Sequence, residues 1–162
     1  MTRTYPDIAK RIEKEGHIAA SHTMYHQNLI RISANAAQDD INEAKATYSN
    51  TLGHDPTLVR PPYGNYNDNI RNAINLPIIL WSVDTLDWKS KDVDAIVAAT
   101  KNQIHDGAIV LMHDIYPTTV DAVPVIIDTL RQDGYEFVTI PELANARGIN
   151  LTPSTVYYNF RP

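Results

Sequence analysis

A regular alternation of short apolar runs with helical segments most constrains the fold of this chain. Apolar spacing predicts helices over residues 5–15, 34–52, 65–74, 93–104, 120–132 and 141–146. Between them, apolar runs predict strands over residues 18–20, 58–59, 78–83, 108–112 and 137–138. Strands that alternate with helices in this order form right-handed βαβ units, so we expect an α/β fold built on a parallel sheet.

Composition narrows the class of protein and of site. The 162 residues suit a single domain, and the net charge of −5 disfavours a nucleic-acid partner. Because the chain has no cysteine, disulfides, thiolate zinc sites and cysteine nucleophiles are excluded. With no run of 18 apolar residues and no apolar core of a signal peptide near Met1, we expect neither a membrane span nor a leader in this chain.

Polar residues follow four of the predicted strands. His22, Arg60, Asp84 and His113 each lie just past the carboxyl end of a strand. In parallel sheets and barrels, active sites form at this end of the strands. The coincidence of four such residues predicts a functional site at that edge.

The first candidate is a pair of histidines, His22 and His26. Residues four apart share one face of a helical turn, so the two imidazoles could bind one metal ion. Neutral imidazole suits zinc, cobalt or nickel. Two ligands are too few for a site, and the alternative of two surface histidines stays open on spacing alone.

The second candidate is the segment from Arg60 to Gly64. Pro61 and Pro62 stiffen the backbone directly after a strand, and Gly64 permits an unusual turn. This segment could hold Arg60 and a backbone N–H rigidly at the rim of a pocket. An ordinary proline turn explains the same residues equally well.

Two further segments carry Asp87, Trp88 and His113. Trp88 could form a wall of a sugar pocket, and Asp87 could orient a histidine, although a solvated loop explains that segment alone. His113, which follows a buried strand, is a candidate general acid, although single histidines at strand ends are more often structural. The remaining histidines are expected to have no such role: His17, His54 and His105.

Together the four segments resemble the NodB-type polysaccharide deacetylases, the fourth family of carbohydrate esterases. In order they match the family's histidine pair HTxxH and its RxPYG, DxxDW and LxH segments, and the resemblance covers residues 5–147. Within the family, the chain is most similar to streptococcal-type peptidoglycan N-acetylglucosamine deacetylases. The resemblance implies a distorted, incomplete (β/α) barrel over residues 1–148. The tail over residues 149–162, with Pro153 and two tyrosines, is expected to form a C-terminal surface arm.

The resemblance also implies how the site would work. His22 and His26 would bind one divalent metal ion, zinc with cobalt or nickel as alternatives, which activates a water and polarises the acetamide carbonyl. The backbone N–H of Tyr63 would stabilise the oxyanion, and Arg60 would orient an aspartate that acts as the base.

The resemblance further implies the acid and the pocket. His113, cationic beside Asp87, would protonate the departing amine, which leaves poorly unless it is protonated. The residues implied to contact the substrate are Pro61, Pro62, Tyr63, Trp88 and Leu111.

One family motif is absent from the sequence. The family's TFDDG segment supplies the catalytic base and the third metal ligand, and no Asp-Asp-Gly occurs here. Asp39 and Asp40, followed by Ile41 inside a predicted helix, are a poor substitute. We therefore expect the C-terminal four-fifths of a deacetylase domain that lacks about two strands: a fragment, a cleaved piece that keeps the N-terminal segment as partner, or a natural truncation. Alone, such a chain should bind metal weakly and catalyse poorly.

The substrate is the least determined feature. The resemblance favours N-acetylglucosamine in peptidoglycan, and therefore an extracellular or cell-wall-associated protein. Chitooligosaccharide and O-acetyl xylan are the alternative substrates, and an inactive sugar-binding fragment is the alternative class. A Rossmann-type nucleotide domain is excluded because no G-x-G-x-x-G follows a strand.

Overall fold

The computed structural model describes residues 2–162, and its chain divides into two compact units. The N-terminal unit runs to Ile79 and includes Asn150–Val156. The C-terminal unit comprises Leu80–Ile149 and Tyr157–Pro162. No helix among the described residues is both long and apolar enough to cross a bilayer.

The N-terminal unit is mostly helical. Helix α2 begins where the Ser33 side chain accepts a hydrogen bond from the N–H of Ala36, and it ends at Gly53, whose φ of 84° is left-handed. The regular elements of the unit are α1 (Pro6–Lys14), α2 (Ala34–Leu52), α3 (Asp68–Ile74) and β1 (Ile78–Ile79). Two short 3₁₀ turns, Leu29–Arg31 and Pro62–Gly64, connect them.

Parallel pairing in this unit passes through single residues. Ser21 pairs with Val59, and Val59 pairs with Ile78, both in parallel. The N–H of Arg60 donates to the carbonyl of Ser21 at 2.9 Å. Because these segments run side by side in one direction, their carboxyl ends place His22 beside Arg60.

The C-terminal unit packs helices on a short parallel pair of strands. Its elements are β2 (Val83–Asp84), α4 (Asp87–Ser90), α5 (Val93–Gln103), β3 (Val110–Leu111), α6 (Pro117–Gln132) and α7 (Ile140–Ala146), and β4 (Val156–Tyr157) has one residue in each unit. Strand β2 pairs with β3 so that Asp84 lies opposite Leu111. Buried Ile96, Ala122, Ile126 and Leu130 form the core between α5 and α6.

Residues near the C-terminus pack tightly in this unit. Phe160 is 1% exposed, and its N–H donates to the carbonyl of Gly107 at 2.8 Å. Gly107 has a φ of 75°, and a Cβ there would lie 2.2 Å from the Phe160 carbonyl oxygen. The backbone approach therefore requires glycine at this position.

Several predicted strands differ from the structure. Residues 78–83 form two short strands rather than one, because Leu80, Trp81 and Ser82 separate β1 from β2. Residues 137–138 form neither a strand nor a bridge, so that predicted strand is wrong. Phe137 and Val138 are 47% and 46% exposed. An apolar pair in the sequence does not ensure that another strand lies beside it to form hydrogen bonds.

Candidate active site

The histidine pair lies in a loop and not in the helical turn expected from its spacing. Thr23 and His26 have φ angles of 67° and 54°, both left-handed, so the prediction of a helical turn is wrong. The two rings nevertheless converge, with 5.0 Å between the centroids of His22 and His26 and 73° between their planes. The left-handed backbone at Thr23 and His26, rather than a helical turn, accompanies the close approach of the two imidazoles.

A buried carboxylate on α2 holds this loop. Asp40 is 3% exposed, and its Oδ1 accepts the N–H groups of Met24 at 2.5 Å and Tyr25 at 3.3 Å. The Tyr25 hydroxyl donates to Glu43 at 2.7 Å, one turn farther along the helix. Asp40 was predicted to be a poor substitute for a metal ligand, and nothing in its local pattern indicated a role in anchoring the loop.

The turn after Arg60 contacts both histidines. The carbonyl oxygen of Arg60 pairs with Nδ1 of His22, which assigns the proton to Nδ1 and makes Nε2 the basic nitrogen of the neutral ring. Tyr63 has a φ of 61°, and its ring centroid lies 5.0 Å from that of His26. Pro61 and Pro62 are fully buried, so they stiffen this turn from beneath.

Arg60 is half-buried, and burial lowers the pKa of its guanidinium. No carboxylate among residues 2–162 forms an ion pair with it. Residues 2–162 therefore do not include the base aspartate that was expected to pair with Arg60.

The donor set of this unit suits a transition metal only in part. Two imidazoles match the chemistry of zinc, cobalt or nickel. Over residues 2–162, however, no group of three or more histidine, aspartate, glutamate or cysteine side chains is arranged to hold a metal ion. The described residues thus supply two ligands, one fewer than a catalytic zinc site takes from its protein.

In the C-terminal unit, Asp87 and His113 form a close pair. The Asp87 side chain is fully buried, and its Oδ1 accepts from Nδ1 of His113 at 2.8 Å and from the N–H of Trp88 at 2.8 Å. Its Oδ2 accepts from the backbone N–H of His113 at 2.6 Å and from the Thr119 hydroxyl at 3.0 Å. Four donors therefore satisfy one carboxylate.

These contacts define the protonation of the pair. Burial alone would raise the pKa of the Asp87 carboxyl, but hydrogen bonds from the ring and N–H of His113 and from Thr119 hold that pKa below its usual value. An ionised carboxylate only accepts, so Nδ1 of His113 carries a proton in both charge states. The other ring nitrogen of His113, whose side chain is 29% exposed, is the one that can exchange a proton with a ligand.

The residues around this pair divide into framework and surface. Leu111 is 7% exposed, and its carbonyl accepts from the buried Thr85 hydroxyl at 2.8 Å. Trp88 is 48% exposed, and its role as a pocket wall stays a prediction. The Tyr116 ring lies 6.4 Å from that of His113. The role of Thr119 was not predicted, because a threonine near a helix start carries no local sign of its partner.

The other histidines have ordinary surroundings. His54 pairs with the Glu13 carboxylate at 3.0 Å on the surface, and His105 pairs with the Ser82 hydroxyl at 3.1 Å. His17 is exposed. That none of the three belongs to a functional site stays a prediction.

Comparison with known proteins identifies similar chains. The family model for polysaccharide deacetylases matches residues 1–76. The peptidoglycan-N-acetylmuramic acid deacetylase PdaC of Bacillus subtilis is 39% identical over 143 residues, and the peptidoglycan-N-acetylglucosamine deacetylase PgdA of Listeria monocytogenes is 41% identical over 138 residues. These alignments cover 88% and 85% of this chain but only 31% and 30% of those proteins. The chain thus spans about a third of the length of these relatives.

Two solved structures share the fold. The T48 deacetylase with substrate has a TM-score of 0.91 at 33% identity, covering 96% of this chain and 77% of that one. The family 4 acetyl xylan esterase from Clostridium thermocellum, solved in complex with a cobalt ion, has a TM-score of 0.89 at 28% identity, covering 98% and 80%. These likenesses confirm the fold class predicted from the sequence.

Proposed function

The chain belongs to the polysaccharide deacetylase family, and from this premise we propose that it forms part of a metal-dependent hydrolase that removes the N-acetyl group from N-acetylglucosamine residues of peptidoglycan. Two curated relatives are named as deacetylases of peptidoglycan sugars, one of N-acetylglucosamine and one of N-acetylmuramic acid. The same names support an extracellular or cell-wall-associated location.

The pairing of Asp87 with His113 carries this proposal. Amide hydrolysis needs an acid that protonates a poor leaving group, and a histidine beside a buried carboxylate provides one. Asp87 accepts the Nδ1 proton of His113 and keeps its ring oriented. In the proposal, Nε2 of that ring gives its proton to the departing amine, and Trp88 and Leu111 contact the acetyl group.

His22 and His26 are proposed as metal ligands, with zinc favoured over cobalt or nickel. When bound, such an ion supplies Lewis acidity to the acetamide carbonyl and lowers the pKa of a water. The carbonyl of Arg60 orients His22, and the backbone N–H of Tyr63 is proposed as the oxyanion donor.

The proposal needs one further segment. A third ligand and a base would come from an acidic pair on an N-terminal segment of the same domain, with Arg60 pairing with its base aspartate. The T48 deacetylase, of which this chain covers 77%, has additional residues that could include such a segment.

Metal binding provides the first test. We expect His22→Ala and His26→Ala each to weaken Zn²⁺ or Co²⁺ affinity at least about tenfold, as removal of a ligand should cost no less than loss of an outer-shell partner. His17→Ala, at an exposed histidine, is the matched control. The measurement is calorimetric titration of the 162-residue chain; equal effects of all three changes would refute the ligand assignment.

A substrate panel provides the second test. Acetate release would be measured from peptidoglycan, chitooligosaccharide and acetylated xylan, by the chain alone and with an added N-terminal segment that carries an Asp-Asp pair. We expect release from peptidoglycan only with the segment. The structural likeness to an acetyl xylan esterase makes xylan the second candidate, and preferential release from xylan would replace the proposal. Glycan binding without release in any combination would favour a sugar-binding fragment.

A further inference from the structure

Two neighbouring hydroxyl groups near the start of α6 differ in their surroundings. Thr119 is 1% exposed, and its hydroxyl donates to Oδ2 of Asp87 at 3.0 Å. The hydroxyl oxygen of Thr118 is also buried, yet it has no hydrogen-bond partner among the residues described. One of the two is therefore committed to the carboxylate, and the other provides a comparison within the same helix.

Thr119 is the donor to Asp87 that belongs neither to His113 nor to the residue next to Asp87. The remaining three bonds come from the ring and backbone of His113 and from the backbone of Trp88. Without the hydroxyl, Oδ2 would keep only the N–H of His113, and a buried carboxylate oxygen would lose half of its donors. The carboxylate would then be freer to rotate about its Cβ–Cγ bond, and Oδ1 would move with it.

We propose that Thr119 is a positioning residue that fixes the Asp87 carboxylate and, through it, the orientation of the His113 ring. The inference rests on the proposed role of His113 as the acid. The hydroxyl of Thr119 donates to Asp87 and not to the ring. It acts by keeping Oδ1 directed at Nδ1 of His113, so that the opposite nitrogen holds one direction.

The test follows the Nδ1 proton of His113 by ¹⁵N-resolved NMR of the 162-residue chain. A proton held between Nδ1 and a buried carboxylate exchanges slowly with water. We expect Thr119→Val to speed this exchange at least about tenfold, the factor that corresponds to about 1.4 kcal/mol and to the loss of one hydrogen bond to a charged group. Thr119→Ser, which keeps a hydroxyl, should retain the slow exchange, and so should the control Thr118→Val.

Every outcome decides the matter. Unchanged exchange in Thr119→Val overturns the proposal, and so does equally fast exchange in Thr118→Val, which would indicate a general loss of packing. If Thr119→Val does not fold, Thr119→Ser and Thr119→Ala differ by the hydroxyl alone and give the same comparison.

This readout needs no catalysis, so it separates the inference from the proposed function. If exchange responds but no preparation releases acetate, the positioning role stands and the proposed function fails. If acetate is released, Thr119→Val should lower kcat about tenfold with little change in KM, because the interaction it removes serves the transition state. Equal kcat in the two proteins would overturn the positioning role alone.

Discussion

The acid pair of the C-terminal unit and the histidine pair of the N-terminal unit differ in how completely their surroundings satisfy them. Both oxygens of Asp87 accept two hydrogen bonds each. Asp40, the carboxylate that holds the histidine loop, uses Oδ1 twice while its buried Oδ2 has no partner among the described residues. Around the same loop, the buried Thr23 hydroxyl and the side-chain amide oxygen of Asn28 lack partners within the described range as well.

This difference separates a preorganised group from one that is not fully satisfied. A buried polar atom without a partner costs about 1–3 kcal/mol, so the histidine loop carries a cost that the acid pair avoids. We infer that the acid pair keeps its geometry by itself, whereas the histidine loop gains most from a ligand or from further contacts.

The largest expected effect breaks the acid pair directly. Asp87→Asn places an NH₂ group among four donors, and we expect the free energy of unfolding to fall by about 3 kcal/mol, because buried donors lose their charged acceptor. Urea unfolding measures it. Asp84→Asn, on the adjoining strand and partly exposed, is the control and should change little. Equal losses would mean that the pair is not the rigid element of its unit.

The pH dependence of stability sharpens the same point. The pKa of the folded Asp87 carboxyl lies below the unfolded value of about 3.9, so its stabilising contribution is complete above that pH and is lost as the pH falls through the folded pKa. Unfolding curves of the wild type should therefore weaken below about pH 4, and the curves of Asp87→Asn should depend less on pH in that window. Parallel curves would contradict this assignment.

An intermediate effect is expected at the contact between Gly107 and Phe160. Gly107→Ala puts a methyl group against a backbone carbonyl, and we expect a loss of about 2 kcal/mol in thermal unfolding. Gly53→Ala is the matched control, since Gly53 also has a left-handed φ but no atom within 4 Å of an added Cβ. A larger loss at Gly53 would show that φ strain, rather than the close approach, determines the cost.

The smallest effect is expected at the histidine loop. Asp40→Asn keeps one acceptor oxygen for Met24 and Tyr25 and removes the charge, so we expect a loss of about 1 kcal/mol. Asp39→Asn, the exposed neighbour on α2, should have no measurable effect. Chemical shifts of the loop amides should move in the first variant only. A loss as large as that of Asp87→Asn would remove the contrast between the two units.

Much of the fold was predictable from local pattern. The long helix α2 follows from its apolar spacing, with Ser33 as its N-cap and Gly53 at its end, and the structure has the predicted bounds. The strand at residues 137–138 failed because an apolar pair indicates burial but cannot supply a hydrogen-bonding neighbour. The division into residues 1–148 and an arm over 149–162 stays a prediction, although Phe160 within that arm is buried.

The candidate site was predictable to a different depth. The order of the motifs in the sequence was enough to predict the site residues His22, His26, Asp87 and His113. The close approach of Asp87 to His113 agrees with the pairing that the resemblance implied. Thr119 and Asp40 were missed because each acts on a partner at least fifteen residues away. The left-handed turn at Thr23 was missed because threonine does not favour that conformation, which tertiary contacts impose.

The contact between Gly107 and Phe160 also affects the order of events during synthesis. About fifty residues separate Gly107 from Phe160 in the sequence. Because ribosomes add roughly 5–20 residues per second, Phe160 is synthesised roughly 3–10 s after Gly107. During that delay Gly107 and Ala108 lack the backbone partners that Phe160 and Asn159 provide in the folded chain. A chaperone that binds exposed backbone edges could bind here only during this interval, because the site is covered once Phe160 has emerged from the ribosome.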